Sequence, residues 1–193
     1  MSGSHQQWAM PVTSFKPIMF VPSKQQADIR RMPVRHISAV AHGALEDAQG
    51  GNHWCFYLST GPEQSVLIDP TPSGTEGSKI PGGGSKAYIV VSKLGCDVST
   101  QVQRVDKIAV APHLTVGHFL DAIVNAGREK YEFEASGRGC RSWINDQMRL
   151  FLSLGLITNA DEAETTMRDL RSEFKGGDVT KRGIPLNKGM YYE

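Results

Sequence analysis

The sequence predicts an α+β domain, a small antiparallel sheet flanked by helices. Runs rich in β-branched and aromatic residues at 34–41, 53–59, 65–69 and 86–94 alternate with Gly- and Pro-containing connections. From residue 115 onward, apolar residues recur instead at helical spacing. A length of 193 residues suits one buried core and one domain.

Taken in order, the first 33 residues carry Pro11, Pro17, Pro22 and Pro33 and read as an extended arm with a short strand at 18–21. The opening Met1-Ser-Gly-Ser-His5 is left out of the fold argument. The run 34–41 (VRHISAVA) alternates as a strand does, and 46–52 is a polar connection rich in turn formers. Strands 53–59 and 65–69 pair as a hairpin across the short loop 60–64. Residues 70–85 read as a Gly- and Pro-rich loop long enough to close over a substrate. Strands follow at 86–94 and 102–111. Thr115 is a good N-cap for a helix over 115–126, whose Val116, Phe119, Leu120 and Ile123 share one face, and Gly127 ends it. After a short extended piece at 131–134, Trp143, Ile144, Met148, Phe151 and Leu152 mark a helix from 140 to 154, stopped by Gly155. A more polar helix spans 160–174, capped by Asn159 or Asp161. The expected division is an arm (1–33), a single α+β domain (34–175) and an irregular tail (176–193).

Lys and Arg number 21 against 20 Asp and Glu, so the net charge is +1 and nucleic acid is not an expected partner. No apolar run approaches the roughly 18 residues of a membrane span, and no secretory signal is expected. Three cysteines, Cys55, Cys96 and Cys140, have no metal-ligand spacing, and their odd number suits a reducing, cytoplasmic compartment. No metal or other cofactor is expected. The sequence names no oligomeric state.

Chemistry concentrates in Ser136-Gly-Arg-Gly-Cys-Arg-Ser-Trp143. Two glycines let the backbone turn sharply into the helix, placing Cys140 in its first turn, where unpaired N–H groups and the positive dipole end favour an anion. That environment lowers a thiol pKa, and Arg138 and Arg141 add positive charge on either side. The same N–H groups, beginning after Gly139, suit the oxyanion of a tetrahedral intermediate. Taken alone, Cys140 reads more readily as a small buried apolar residue after a glycine turn.

A thiol nucleophile needs a base, and His53 at the start of an aromatic strand is the best candidate. Asp69, across the hairpin, is the best group to orient its ring, with Asn52 a weaker one. Without a dyad, His53 is a strand-end histidine and Asp69 an Asx turn before Pro70. A one-residue slip in the hairpin would swing Asp69 to the other face. Asn52, Trp54, Arg138, Gly139, Arg141 and Trp143 are candidate substrate contacts, although both tryptophans are most simply core anchors. His36, His42, His113 and His118 form no motif, and Gly82-Gly-Gly84 lacks the ending of a phosphate loop.

The order of His53, Asp69, the apolar helix, the Tyr131 segment and Gly139-Cys140-Arg-Ser-Trp143 resembles the circularly permuted papain-like thiol peptidases. These include the PPPDE deubiquitinating group and the lecithin:retinol acyltransferase-like enzymes. The resemblance covers roughly residues 50 to 157 and implies a permuted papain-like (NlpC/P60-type) arrangement. Those families commonly place Asn where this chain has Gly139. The segments Gly51-Asn-His-Trp54 and Gly139-Cys-Arg-Ser-Trp143 are also similar to an uncharacterised domain family of filamentous fungi, which implies a fungal cytosolic protein, sometimes tied to specialised metabolism. Together they imply a thiol-dependent hydrolase or acyltransferase acting on an amide, ester or thioester of a small-molecule or peptidyl substrate. The alternatives are a non-covalent enzyme or cyclase using the same cleft, and an inactive papain-like binding module.

Overall fold

The computed structural model describes residues 15–44, 50–74, 78–81 and 83–193. The start of the arm, most of the polar connection at 46–52 and part of the 70–85 loop, Gly82 included, lie outside the described residues.

Strands β2 (His36–Ala44), β3 (Asn52–Gly61), β4 (Gln64–Pro72) and β5 (Ser85–Leu94) form an antiparallel meander, and β6 (Arg104–Ala109) adds to β2. On its far side β5 carries β7 (Tyr131–Phe133) beside its start and β1 (Ile18–Val21), in parallel, beside its later half. β10 (Met190–Tyr191) extends the sheet beyond β7. The fold is therefore α+β with a mostly antiparallel sheet.

Alternation along the strands decides the two faces. Trp54, Phe56 and Leu58 of β3, with Ile37 and Ala39 of β2 and Ile68 of β4, are fully buried on one face. Helices α2 (Val116–Asn125) and α3 (Cys140–Ser153) cover that face with Phe119, Leu120, Ile123, Trp143, Ile144 and Phe151. Opposite, Val40, Cys55 and Tyr57 form a smaller cluster with Leu67, Leu94, Val98 and Val102.

The helix boundaries follow their caps. Thr115 and the third residue of α2, His118, bond reciprocally as a capping box, and Gly127 follows the helix at φ 66°. Asn159 caps α4 (Ala160–Asp169) by accepting from the N–H groups of Asp161 and Glu162.

Several expectations need correction. β3 is interior, between β2 and β4, so His53 does not stand on a sheet edge. Besides β1, the arm contains a short helix α1 (Gln26–Arg31) whose Ile29 is fully buried in the main core. The 160–174 helix stops at Asp169, because Glu173–Lys175 (β8) turns back as a hairpin with Asp178–Lys181 (β9). The tail is thus not irregular throughout. The strand 65–69 runs on to Pro72, shortening the loop: pairing with β3 ends at Phe56 opposite Ile68, while pairing with β5 continues to Pro72 opposite Ala87. Pro70 and Pro72 therefore fall where β4 has a ladder on one side only, which tolerates a missing N–H.

Candidate functional site

The turn into α3 is built around Gly139. Its φ of 150° belongs to a region that side chains with a Cβ rarely adopt. The Tyr131 hydroxyl donates to the Gly139 carbonyl at 3.1 Å and accepts the Gly189 N–H at 2.8 Å, pinning the turn to the C-terminal segment. The Gly139 carbonyl also accepts the Trp143 N–H, closing the first turn of α3. Cys140 is the first residue of that helix, in the turn whose N–H groups lack intrahelical acceptors.

Beyond Ile68, β3 and β4 part, and in that gap His53 Nε2 lies 2.6 Å from Asp69 Oδ1. The register places Asp69 one pair beyond Phe56–Ile68, opposite Cys55 rather than His53, and it reaches the imidazole diagonally on the same face. The Cys140 thiol stands close enough to the His53 ring for each to shift the other's titration. With Nε2 committed to Asp69, Nδ1 is the nitrogen left for the sulfur. The structure thus brings together the three residues singled out as thiol, base and orienter.

The electrostatics favour an ion pair. Burial opposes charge on His53, but the ring's hydrogen bond to Asp69 and the Cys140 sulfur beside it, with their negative charge, outweigh it and push the ring up to about 10. Burial likewise opposes a Cys140 thiolate. The bond from His53, the imidazolium charge, the Trp54 backbone N–H and the Arg141 charge together bring the thiol below its ordinary value. Cys55 lacks these partners, and burial pushes it well above. The arrangement favours a thiolate at Cys140, beside a proton donor, over one at Cys55.

One neighbour was passed over in the sequence. His42 stands at a β-bulge between Ala41 and Ala44, with its ring 6.3 Å from that of His53. Its Nε2 contacts Cys55 Sγ at 3.2 Å and the Tyr57 hydroxyl at 3.3 Å. Burial first, then the His53 charge, hold it below its ordinary pKa, so it stays neutral beside the imidazolium. The available signal was the polar His42-Gly43 pair closing an alternating run, where a bulge can re-aim a side chain.

The proposed substrate contacts fare differently. Asn52 is completely buried; its Nδ2 donates to the carbonyls of His42 and Phe174, and its Oδ1 accepts the Phe174 N–H. It is a clamp joining β2, β3 and β8, with no reach to a substrate. Replacing Asn52 by alanine strands three buried backbone groups and should cost about 2–4 kcal/mol, read from the urea midpoint. An unchanged midpoint would remove the clamp role. Trp54 and Trp143 are fully buried core residues. Trp54 meets Phe174 edge-on, and Trp143 Nε1 donates to the Arg128 carbonyl. Neither lines a cleft. Arg138, Gly139 and Arg141 do flank the thiol, which is itself only 6% exposed.

A cavity of about 750 Å³ lies elsewhere, between α1 and the start of α2, lined by Lys24, Arg30, Thr115, His118 and Asp121 among others. It contains none of the three residues of the thiol array, and Arg30 within it already pairs with Asp121. Chemistry and cavity point to different places, and the chemistry weighs more because the cavity holds no cysteine and its Thr115 hydroxyl and His118 Nδ1 are engaged with each other in the cap of α2. Among the described residues no three of His, Cys, Asp and Glu are grouped as metal ligands, and no helix is long and apolar enough to cross a membrane.

Comparison with known proteins gives one match: a family described as a domain of unknown function, DUF7770, aligns with residues 37–192. No curated protein and no solved structure matches the chain.

Proposed function

We propose that this chain, which belongs to the DUF7770 family, is a cysteine-dependent acyl-transfer enzyme with a permuted papain-like arrangement. The observation that carries the reading is a helix-opening thiol beside an imidazole that is itself held 2.6 Å from a carboxylate. In the proposed reaction the Cys140 thiolate attacks the carbonyl carbon of an amide, ester or thioester. The carbonyl π pair moves to oxygen, where N–H groups of the first α3 turn stabilise it. Collapse expels the leaving group, which takes its proton from the His53 imidazolium and leaves an acyl thioester on Cys140. The now neutral His53 deprotonates water, an amine or an alcohol. Attack by that nucleophile releases the acyl product and restores the thiolate and imidazolium. Asp69 holds the ring and stabilises its charged form.

The near-complete burial of the thiol favours a second reading, a module of the same outline that binds a ligand without covalent chemistry. The pH dependence of iodoacetamide alkylation, assigned by mass spectrometry, separates them. Because Cys140 is lowered and His53 raised, the thiolate forms below the ordinary thiol range and keeps its imidazolium until pH rises through about 10. At pH 6 Cys140 should then react on the order of 100-fold faster than the partly exposed Cys96, and His53→Ala should remove most of that advantage. Cys55, shifted the other way, should stay slow until strongly alkaline pH. A Cys140 as inert as Cys55 at every pH would sink the nucleophile and leave the binding module.

A further inference from the structure

With Cys140 only 6% exposed, a substrate reaches the thiol only if a neighbouring segment moves aside. The neighbours differ in how firmly they are held. β3 and β7 belong to the main sheet and α3 packs into the core, whereas the segment 185–191 lies outside them, with Pro185, Lys188, Met190 and Tyr191 exposed. Its attachments bracket the cysteine. Arg141, one residue after Cys140, donates to the Pro185 carbonyl at 3.2 Å. Gly139, one residue before it, is reached through the Tyr131 hydroxyl, which accepts the Gly189 N–H. Residues 186–188 therefore span the two sides of the thiol corner.

The bonds on either side of the thiol use the main chain of this segment. Pro185 gives a carbonyl, Gly189 an N–H, and Met190 and Tyr191 pair with Glu132 and Tyr131. Its side chains add Leu186 against the core, Asn187 to Glu134 and the Tyr191 hydroxyl to Asp146. Main-chain recognition is indifferent to sequence, so another extended strand can make the same bonds on the β7 edge. A ladder of two residue pairs is also a weak attachment, of the kind that opens locally. One position is restrictive: a Cβ at Gly189 would run into the Glu132 carbonyl and the Tyr131 ring.

Resting on the thiol reading above, we propose that the segment 185–191 is a displaceable strap over Cys140, and that the β7 edge beneath it docks an extended polypeptide in its place. The incoming strand takes over the Tyr131 hydroxyl and the Arg141 guanidinium, so the corner stays fastened while the strap is off. Two uncharged maleimides test this, small N-ethylmaleimide and a bulky methoxy-polyethylene-glycol maleimide. In both reactions the thiolate adds to one carbon of the maleimide double bond and the other carbon takes a proton from water; only the size of the reagent differs. The ratio of bulky to small rates at Cys140, set against the same ratio at the partly exposed Cys96, cancels any change in thiolate fraction and reads access.

Gly189→Ala in the full chain drives the strap off β7 and should raise the ratio on the order of ten-fold. The buried Cys55 should stay slow with both reagents, which separates release of the strap from unfolding. Tyr191→Ala is the second variant, should Gly189→Ala fail to fold. It removes the bond to Asp146 and a ring 5.0 Å from that of Tyr131, and should move the ratio in the same direction. A synthetic peptide with the sequence of residues 184–193, added at millimolar concentration to the Gly189→Ala protein, should lower the ratio again, and the same peptide bearing Gly189→Ala should not. A ratio that neither variant raises overturns the strap while leaving the nucleophile intact. A raised ratio that the peptide does not lower overturns the docking of a polypeptide on β7. Failure of Cys140 to react with N-ethylmaleimide even in the Gly189→Ala protein overturns the thiol reading as well.

Discussion

Replacing Gly139 by asparagine, the residue that permuted papain-like families commonly hold before their cysteine, should lower the melting temperature by roughly 6–12 °C and abolish the fast reaction of Cys140. The estimate takes a cost on the order of 3 kcal/mol, at about 2–4 °C per kcal/mol for a chain of this size. Any side chain meets two obstacles. The φ of 150° is strained for a residue with a Cβ, and a Cβ built there lies 2.8 Å from the Tyr131 hydroxyl and 3.0 Å from the Phe133 ring. The hydroxyl cannot swing aside without releasing both the Gly139 carbonyl and the Gly189 N–H. Calorimetry on Gly139→Ala and Gly139→Asn checks the argument. Equal losses place the cost on the Cβ itself, and an asparagine variant as stable as the parent would refute it.

The second large effect belongs to Trp143. Its ring is fully buried between the sheet and α2, facing Phe56 at 6.4 Å, and its Nε1 satisfies the Arg128 carbonyl at 2.9 Å. Trp143→Ala removes the largest α3 side chain from the core and should cost about 3–5 kcal/mol. Urea unfolding should show a lower midpoint at an unchanged slope. Trp143→Phe should cost clearly less, because the ring volume is partly kept while the bond to Arg128 is lost. Equal costs for the two variants would mean that packing at this position contributes little.

Local signals made much of this readable. Thr115 and Gly127 bracket α2 and Asn159 caps α4, because caps depend on residues a few positions apart. The β3–β4 hairpin was legible for the same reason, and its register puts Asp69 on the face that carries His53. What escaped is non-local. The strand expected at 18–21 is present, but its parallel pairing with Ile89 through Ser92, about 70 residues away, was not legible, and β10 owes its order to Tyr131 and Glu132. The two residues of β10 are too few to announce a strand by periodicity. Asn52 looked available because an Asn beside Gly-Gly is ordinarily a turn residue; only the arrival of Phe174 buries it. His42 was overlooked because its neighbours Cys55 and Tyr57 sit on another strand.

The fastening of the thiol corner to the segment 184–189 bears on synthesis of the protein. Chains emerge from the ribosome N-terminus first, and β3 with His53 and β4 with Asp69 can pair before α3 exists. The glycine turn before Cys140 is secured by Gly189 through Tyr131, and Arg141 is secured by the Pro185 carbonyl. Those anchors are made more than 40 residues after the thiol itself. A nascent chain halted short of them would carry an unfastened α3 start, so the corner around Cys140 is assembled only after residue 189 has emerged.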